Sequence, residues 1–223
     1  MGGIGPVGIV GGGPAGAELA RRLAEARIAC VLYEAEPDRA KPCGGGLTPS
    51  AMERTPPSVR AATAGRPVFQ VTSQSPSNRT FHLRLSDPIT VVSRREYDRQ
   101  LRQAAAEAGA RVVCRRVRTV ERRSGSFLID GRDAFPLLAG AGGFNCPVAR
   151  ALAGRLSSRD LAASVGYYVE GSHAARIGIG FVAGLSGYLW FFPGTSAASA
   201  GFAGPAHAFS AARAESILKN FIG

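Results

Sequence analysis

The chain is poor in the residues that hold metals and disulfides, and this scarcity excludes several classes of protein. It has three histidines and four cysteines, the latter at positions 30, 43, 114 and 146. No two cysteines have the C-x-x-C spacing and no histidine falls in a zinc pattern, so we expect no metal centre. Cys30 and Cys114 lie in apolar runs and are predicted to be core residues. The N-terminus carries no basic region followed by an apolar segment, so we expect no signal peptide and a reducing cytoplasm.

Lysine is nearly absent, although the chain is strongly basic. Lys41 and Lys219 are the only lysines among 27 basic residues, and the net charge is +11. This bias towards arginine indicates a compositional preference rather than a nucleic-acid surface, because no recognition motif accompanies it. In the densest cluster, residues 111–123, arginines are interspersed with valines, as on the solvent-exposed face of a strand. We therefore expect no nucleic-acid partner, whereas attraction to an anionic membrane surface or substrate stays open.

A continuous apolar run that could cross a membrane is also lacking. Residues 177–212 contain no Asp, Glu, Lys or Arg, but seven glycines and two prolines interrupt them. A spanning helix needs about 20 predominantly apolar residues without such breaks. The segment therefore predicts short strands and turns around an apolar surface, which leaves peripheral membrane contact open.

Residues 7–46 contain the most informative pattern in the chain. An apolar strand at 7–10 is followed by the turn GGGPAG at 11–16 and then by a helix with one apolar side. A second apolar strand at 28–33 ends on an acid, Glu34, which lies 18 residues after Gly16. Strand, glycine turn, helix, strand and terminal acid together form the βαβ dinucleotide-binding fingerprint, which is far more specific than the glycines alone.

Each position of this fingerprint has its own physical role. Gly11 permits the tight turn, Gly13 lets the backbone approach a pyrophosphate, and Gly16 allows the helix to pack closely on the strand. The N–H groups at the start of the helix point towards the phosphates, and Glu34 can accept hydrogen bonds from a ribose. We therefore predict a set of cofactor-binding residues in this segment: Gly11, Gly13, Pro14, Ala15, Gly16 and Glu34.

The rest of the chain predicts an alternation of strands and helices. Residues 68–71 and 81–85 alternate apolar and polar positions, as half-buried antiparallel strands do, and helical spacing covers residues 97–108. Strands are expected at 111–120, 126–129 and 137–139, a helix at 147–152, and a last helix at 211–221. The prolines at 56 and 57 predict irregular backbone.

Four further motifs, in chain order, resemble those of a known family. Residues 41–47 resemble a K-P-C-G-G-G-L loop, residues 94–101 an R-x-x-[FY]-D-x-x-L element, residues 140–143 a G-A-D-G turn, and residues 188–193 a Y-x-W-x-F-P motif. Together with the fingerprint they resemble the geranylgeranyl reductases, flavoproteins of the p-hydroxybenzoate hydroxylase-like superfamily. The resemblance implies an α/β fold in which a Rossmann-like FAD/NAD(P)-binding domain is joined to a substrate domain with a mixed or antiparallel β-sheet.

The resemblance also implies the domain limits, the cofactors and the reaction. We expect a discontinuous FAD-binding domain over residues 1–65 and 93–155, and a substrate-binding β region over 66–92 and 156–223. FAD is the implied resident cofactor, NAD(P)H the implied electron donor, and the implied reaction is reduction of carbon–carbon double bonds in a prenyl chain. The expected partner is a prenyl small molecule or lipid, and the expected location is the cytoplasm or the periphery of a membrane.

The implied site residues follow the motifs residue by residue. Cys43, Gly44, Gly45, Arg94 and Gly142 join the cofactor-binding set, and Cys43 is expected near the reacting atoms. Reduction of a polyene needs an apolar slot with little water, and six residues of the C-terminal segment are candidates for its wall: Phe181, Leu185, Tyr188, Trp190, Phe191 and Phe192. Tyr188 and Trp190 share one strand face, and with Cys43 they form the predicted catalytic set; ordinary core packing is the alternative for the wall residues.

The chain departs from the family pattern in two places. Gly142 stands where the family has the Asp of G-A-D-G, and the family's sequences continue well beyond position 223 to a G-D motif whose Asp binds the ribityl chain of the flavin. We therefore expect either a fragment or a naturally short relative. Two alternatives stay open: a flavin-dependent monooxygenase or halogenase, and a non-catalytic protein that binds flavin or lipid.

Overall fold

The computed structural model describes residues 5–184 and 186–222, which form two compact units. The first unit comprises Met1–Arg39 and Tyr97–Leu156, and the second comprises Ala40–Glu96 and Ser157–Gly223. The chain passes between the units after Arg39, Glu96 and Leu156, whereas the limits expected from the sequence follow residues 65, 92 and 155. Residues 40–65 thus lie with the second unit, and the functional domain limits stay a prediction.

Fourteen short strands and six α-helices make up most of the regular structure of the described residues. The strands are β1 Val7–Val10, β2 Cys30–Glu34, β3 Gly46–Leu47, β4 Gly65–Gln74, β5 Thr80–Val92, β6 Arg111–Cys114, β7 Val120–Arg123, β8 Ser126–Ile129, β9 Asp133–Phe135, β10 Leu137–Gly140, β11 Ala162–Glu170, β12 Arg176–Gly180, β13 Tyr188–Pro193 and β14 Ala197–Pro205. The α-helices are α1 Pro14–Glu25, α2 Pro49–Arg54, α3 Pro57–Ala62, α4 Arg94–Glu107, α5 Pro147–Ala153 and α6 Ala211–Ile222.

The first unit contains the expected parallel sheet. Its order is β10-β1-β2-β6, and every pairing is parallel. Strand β1 is buried along its whole length, which explains its uninterrupted apolar sequence. A separate antiparallel sheet, β7-β8-β9, contributes Ile129 and Phe135 to a core that also contains Val10 and Tyr33.

Two expectations for this unit are wrong. Residues 111–120 do not form one strand. Strand β6 ends at Cys114, and the N–H of Arg115 donates to the carbonyl oxygens of Glu34 and Val113. Cys114 is exposed rather than buried, because β6 pairs only with β2 and lies at the edge of the sheet. Cys30, on the more central β2, is buried as predicted.

The second unit is built on one mixed sheet. Its seven strands have the order β11-β14-β13-β12-β4-β5-β3, and the β12–β4 pair is parallel. Helix α6 packs on β11 and β14 and covers Leu189 and Phe202. The two predicted strands at 68–71 and 81–85 lie inside the longer pair β4–β5.

The segment between the fingerprint and β4 is more ordered than the sequence predicts. Thr48 caps α2 by accepting the N–H of Ala51 at 3.3 Å, and Pro57 starts α3 instead of breaking the backbone. A proline at the first helical position loses no hydrogen bond, which is why the pair at 56 and 57 is tolerated. Among the residues that the structure describes, no helix is both long enough and apolar enough to cross a membrane.

Candidate functional site

The glycine turn of the first unit can be formed only with glycine at two positions. Gly11 has φ +109°, and a Cβ there would lie 2.5 Å from the carbonyl carbon of Ala141. A Cβ on Gly16 would lie 1.9 Å from the carbonyl oxygen of Gly11. The turn therefore passes directly against the end of β10, and α1 packs directly against the turn. Both glycines perform the roles that the fingerprint predicts.

The start of α1 provides free backbone donors. Gly13 is buried in an extended conformation just before the helix, and Pro14 and Ala15 are exposed. The N–H groups of Ala15 and Gly16 lie in the first helical turn, where no carbonyl of the same helix can accept them. An anion at this position would receive those N–H groups together with the positive end of the helix dipole. The residues present therefore fit the pyrophosphate of a dinucleotide.

Glu34 lies beside this turn at the end of β2, as the fingerprint predicts. Its Oε2 accepts the N–H of Gly12 at 2.8 Å, and its Oε1 accepts the N–H of Glu36 at 2.8 Å. These two bonds fix the carboxylate in place. Each carboxylate oxygen can accept more than one hydrogen bond, so Glu34 keeps the capacity to bind a ribose hydroxyl.

Arg102 is a residue of this site that sequence reasoning missed. It lies on α4 and is only 8% exposed. Its guanidinium donates to the carbonyl oxygen of Gly12 at 3.1 Å and to that of Pro37 at 2.6 Å, so it joins the glycine turn to the segment after β2. Arg102 directly follows the last residue of the 94–101 motif, but no pattern in the sequence distinguishes it from the other arginines.

A second unpredicted group lies at the ends of β2 and β6. The hydroxyl of Tyr33 donates to Asp133 at 2.8 Å, Arg115 also donates to Asp133, and the Arg115 guanidinium lies 4.7 Å from the centre of the Tyr33 ring. Burial, followed by the bond to Asp133, raises the pKa of Tyr33 to about 12. Hydrogen bonds from Arg115 and then Tyr33 hold the pKa of Asp133 below its usual value. These contacts join β9 to the parallel sheet at the end of β2, next to Glu34.

Gly142 lies against the fingerprint turn. A Cβ on Gly11 would lie 2.5 Å from the Cα of Gly142. The backbone of Gly142 has φ −81°, a conformation that any residue can adopt. A Cβ at Gly142 would meet Cys146 at 3.3 Å. The position is therefore close to the predicted phosphate site, but a carboxylate there would require a small shift of Cys146.

In the second unit the 41–47 loop is held by its glycines. Gly45 has φ +72°, a Cβ there would lie 2.2 Å from the Val92 oxygen, and its own carbonyl accepts the Val92 N–H at 3.0 Å. Gly44 and Gly46 lie against the ring of Phe192. A Cβ on Gly44 would lie 2.5 Å from this ring, and a Cβ on Gly46 would lie 2.6 Å from it. These contacts, with the β3–β5 pairing, explain why residues 40–65 belong with the second unit.

Cys43 and Arg94 are in direct contact. The Cys43 sulfur accepts an N–H of Arg94 at 3.2 Å and the N–H of Gly45 at 3.5 Å. The two motifs that the sequence resemblance joined therefore meet in the structure. Two N–H donors directed at one sulfur fix its position in the loop.

Trp190 supports the same loop through Ser199. Its side chain is buried, and its indole N–H donates to the hydroxyl of Ser199 at 3.2 Å. Ser199 in turn donates to the carbonyl oxygen of Cys43 at 2.8 Å. Ser199, a small residue in an alanine-rich strand, carried no sequence signal. The path Trp190–Ser199–Cys43 gives Trp190 a positioning role.

The other predicted wall residues are divided between surface and core. Tyr188 is 43% exposed and its ring centre lies 6.2 Å from that of Trp190, so the two share a strand face as expected. Phe181 is exposed, whereas Phe191 packs in the core beneath α6 and meets the ring of His173 edge to face. Leu185 lies outside the described residues.

Comparison with known proteins finds sequence relatives for about half of this chain. Geranylgeranyl diphosphate reductase from tobacco is 36% identical over 111 residues, which cover 48% of this chain and 24% of that protein. The enzyme of the same name from Rhodobacter capsulatus is 32% identical over 130 residues, 56% of this chain and 32% of that protein. No protein-family model matches the chain.

Solved structures share the fold over nearly the whole chain. A geranylgeranyl bacteriochlorophyll reductase-like protein from Thermoplasma acidophilum gives a TM-score of 0.77 at 21% identity, covering 99% of this chain and 62% of that one. A flavin-dependent halogenase from Xanthomonas campestris gives 0.73 at 16% identity, covering 97% and 59%. The halogenase PltM, solved with phloroglucinol and FAD, gives 0.69 at 14% identity, covering 97% and 55%.

The structure is thus an α/β protein with a Rossmann-like unit and a mixed-sheet unit, a fold that it shares with the reductase-like protein and the halogenases. Over about half of its length, the sequence is similar to geranylgeranyl diphosphate reductases. The matched segments span about a quarter to a third of the curated relatives.

Proposed function

We propose that this protein binds FAD through its first unit. The observation that carries the proposal is the turn at Gly11 and Gly16, where any side chain would collide with backbone and where α1 presents unused N–H groups. Glu34, fixed by two backbone N–H groups, is the proposed ribose ligand. The relationship to geranylgeranyl reductases, and the FAD complex of a protein with the same fold, support FAD as the dinucleotide.

We propose further that this protein is an oxidoreductase that reduces carbon–carbon double bonds of an isoprenoid chain with NAD(P)H. The names of the sequence relatives support the geranylgeranyl-type substrate. Bound FAD would supply the hydride chemistry. The part of this chain would be to bind the cofactor and to present apolar and aromatic side chains, Tyr188 among them, to a prenyl substrate.

The roles of individual residues in the second unit belong to the same proposal. The Cys43 sulfur, which accepts N–H groups from Arg94 and Gly45, is proposed to lie near the reacting atoms. Tyr188, with its exposed ring, is the proposed substrate contact, and Trp190 acts by holding the Cys43 loop. Flavin contacts of Gly44, Gly45, Arg94 and Gly142 stay predictions, as do a cytoplasmic location and peripheral membrane contact.

The test is a product assay under defined conditions. The purified protein, with FAD and NADPH or NADH, is incubated anaerobically with geranylgeranyl diphosphate, and the products are analysed by mass spectrometry. Gain of two hydrogens per reduced double bond, abolished in Gly16→Ala, supports the proposal. Products that form only with oxygen, or with oxygen and halide on an aromatic substrate, would indicate a monooxygenase or halogenase instead. FAD binding without any product would indicate a non-catalytic flavin protein.

A further inference from the structure

A groove in the first unit is lined by three arginines that the proposed function does not use. It is an open surface depression of about 380 Å³ between α5 and the segment that leads into β7, and its arginines are exposed. Arg118 and Thr119 lie on one side, and Arg150 and Arg155 lie on the other. The volume is within the range of small-molecule sites. We refer to it as the arginine groove.

The side chains of the groove arginines form no ion pair within the described part of the chain. No carboxylate there pairs with the side chain of Arg118, Arg150 or Arg155. The preceding Arg115 and Arg116, in contrast, each pair with an acid, Asp133 and Glu36 respectively. Like charges that line one concave surface repel each other, and a bound anion would offset that repulsion.

Both sides of the groove are held in position by the protein itself. The carboxylate of Asp130 accepts the backbone N–H of Arg118 at 2.8 Å and that of Thr119 at 2.9 Å. On the other side, Gly154 at φ +77° ends α5, and its N–H donates to the carbonyl oxygen of Arg150 at 3.0 Å. The backbone at Arg118 and Arg150 is therefore fixed before any ligand arrives, which lowers the entropy cost of binding.

We propose that the arginine groove binds a compound that carries two linked phosphate groups. Arginine pairs with phosphate oxygens through two parallel N–H donors, and its charge does not vary with pH in the working range. Two linked phosphates can engage several guanidinium groups at once, whereas a single phosphate has fewer oxygens to share among them. The hydroxyl of Thr119 adds a neutral donor. A nucleotide and a prenyl diphosphate share this chemistry, and the experiment below distinguishes the two.

Titration calorimetry with inorganic pyrophosphate tests the proposal, with and without saturating FAD. The variant Arg118→Gln/Arg150→Gln/Arg155→Gln is expected to bind pyrophosphate at least about tenfold more weakly than the wild type. The control Arg60→Gln/Arg176→Gln/Arg213→Gln removes the same charge from exposed arginines of the second unit and should keep wild-type affinity. If both variants lose affinity equally, or neither does, the groove is not the site.

Further ligands separate the sources of the phosphate groups. ADP or geranyl diphosphate that displaces pyrophosphate from the wild type identifies a nucleotide or a prenyl ligand, and either supports the proposal. Inorganic phosphate that binds as tightly as pyrophosphate contradicts the two-phosphate requirement. Binding to phosphatidylglycerol vesicles without binding to pyrophosphate would overturn the proposal in favour of a membrane surface.

Two readouts keep this test independent of folding and of the proposed function. FAD affinity of the groove variant should equal that of the wild type, because its arginines are not in the glycine turn. Failure of FAD binding therefore contradicts the proposed function alone. The single substitution Arg150→Gln, a milder change, should weaken pyrophosphate binding about threefold while the thermal midpoint stays unchanged.

Discussion

At the scale of single residues, Gly16 is the most constrained position of the cofactor site. We expect Gly16→Ala to lower the free energy of unfolding by at least about 2 kcal/mol, because its Cβ would overlap the Gly11 carbonyl oxygen and push α1 from the turn. Chemical denaturation measures this. Gly125→Ala is the control: its Cβ would meet nothing within 4 Å, so that the only cost expected is that of an alanine at φ +75°. Equal losses in both variants would mean that collision plays no part.

Asp133 provides a prediction about pH. Hydrogen bonds from Arg115 and Tyr33 lower the pKa of Asp133 in the folded state. Its contribution to stability is therefore complete above its pKa in the unfolded chain, about 3.9, and is lost as the pH falls through the folded pKa. Asp133→Asn should therefore cost about 1 kcal/mol at pH 7, the partial exposure of the pair limiting the effect. The difference from the wild type should shrink below pH 4. A difference that is constant from pH 7 to pH 3, or as small as that of exposed Asp38→Asn, would contradict this role of Asp133.

At the scale of elements, α4 supports the glycine turn through one side chain. Replacing Arg102 with Met keeps much of its volume but removes both bonds to the carbonyl oxygens of Gly12 and Pro37. We expect FAD affinity to fall about tenfold, because the turn loses a fixed conformation before binding. Flavin fluorescence quenching measures the affinity. Arg95→Met on the exposed face of the same helix should have no effect, and a similar loss there would point to charge instead of positioning.

The Cys43 loop depends in the same way on β13 and β14. Ser199→Ala should lower the free energy of unfolding by about 1–2 kcal/mol, because it leaves the buried indole N–H of Trp190 without an acceptor. It should also speed modification of Cys43 by a thiol reagent, measured in a Cys114→Ser background, since the loop loses its bond from Ser199. Ser164→Ala, exposed on the neighbouring β11, is the control. Unchanged Cys43 reactivity in Ser199→Ala would contradict a role of Ser199 in holding the loop.

The sequence predicted local patterns well and partnerships between distant residues poorly. The fingerprint specified β1, α1, β2 and Glu34, because each part of it has a steric or electrostatic requirement that leaves few residue types. The supports Arg102 and Ser199 could not be found in this way: they act on carbonyl oxygens brought near by the fold, and many residue types donate to a carbonyl. The break after Cys114 was missed for a similar reason, since a strand ends there through the interactions of Arg115 with Glu34 and Asp133.

At the scale of the whole molecule, the two units differ in the kind of observation that supports their proposed roles. The first contains the glycine turn of the dinucleotide-binding fingerprint, defined by steric contacts of the chain itself. The second contains the 41–47 loop and the aromatic strand β13, whose proposed roles rest on the relationship to geranylgeranyl reductases. Cofactor binding by the first unit is therefore the property on which the remaining proposals depend.

The most direct test of cofactor binding is titration of the purified chain with FAD, followed by the absorbance spectrum after removal of unbound flavin. We predict a retained flavin spectrum at a stoichiometry of about one FAD per chain, its loss in Gly16→Ala, and its retention in Gly125→Ala. A wild-type protein that remains colourless after exposure to FAD would contradict the central claim.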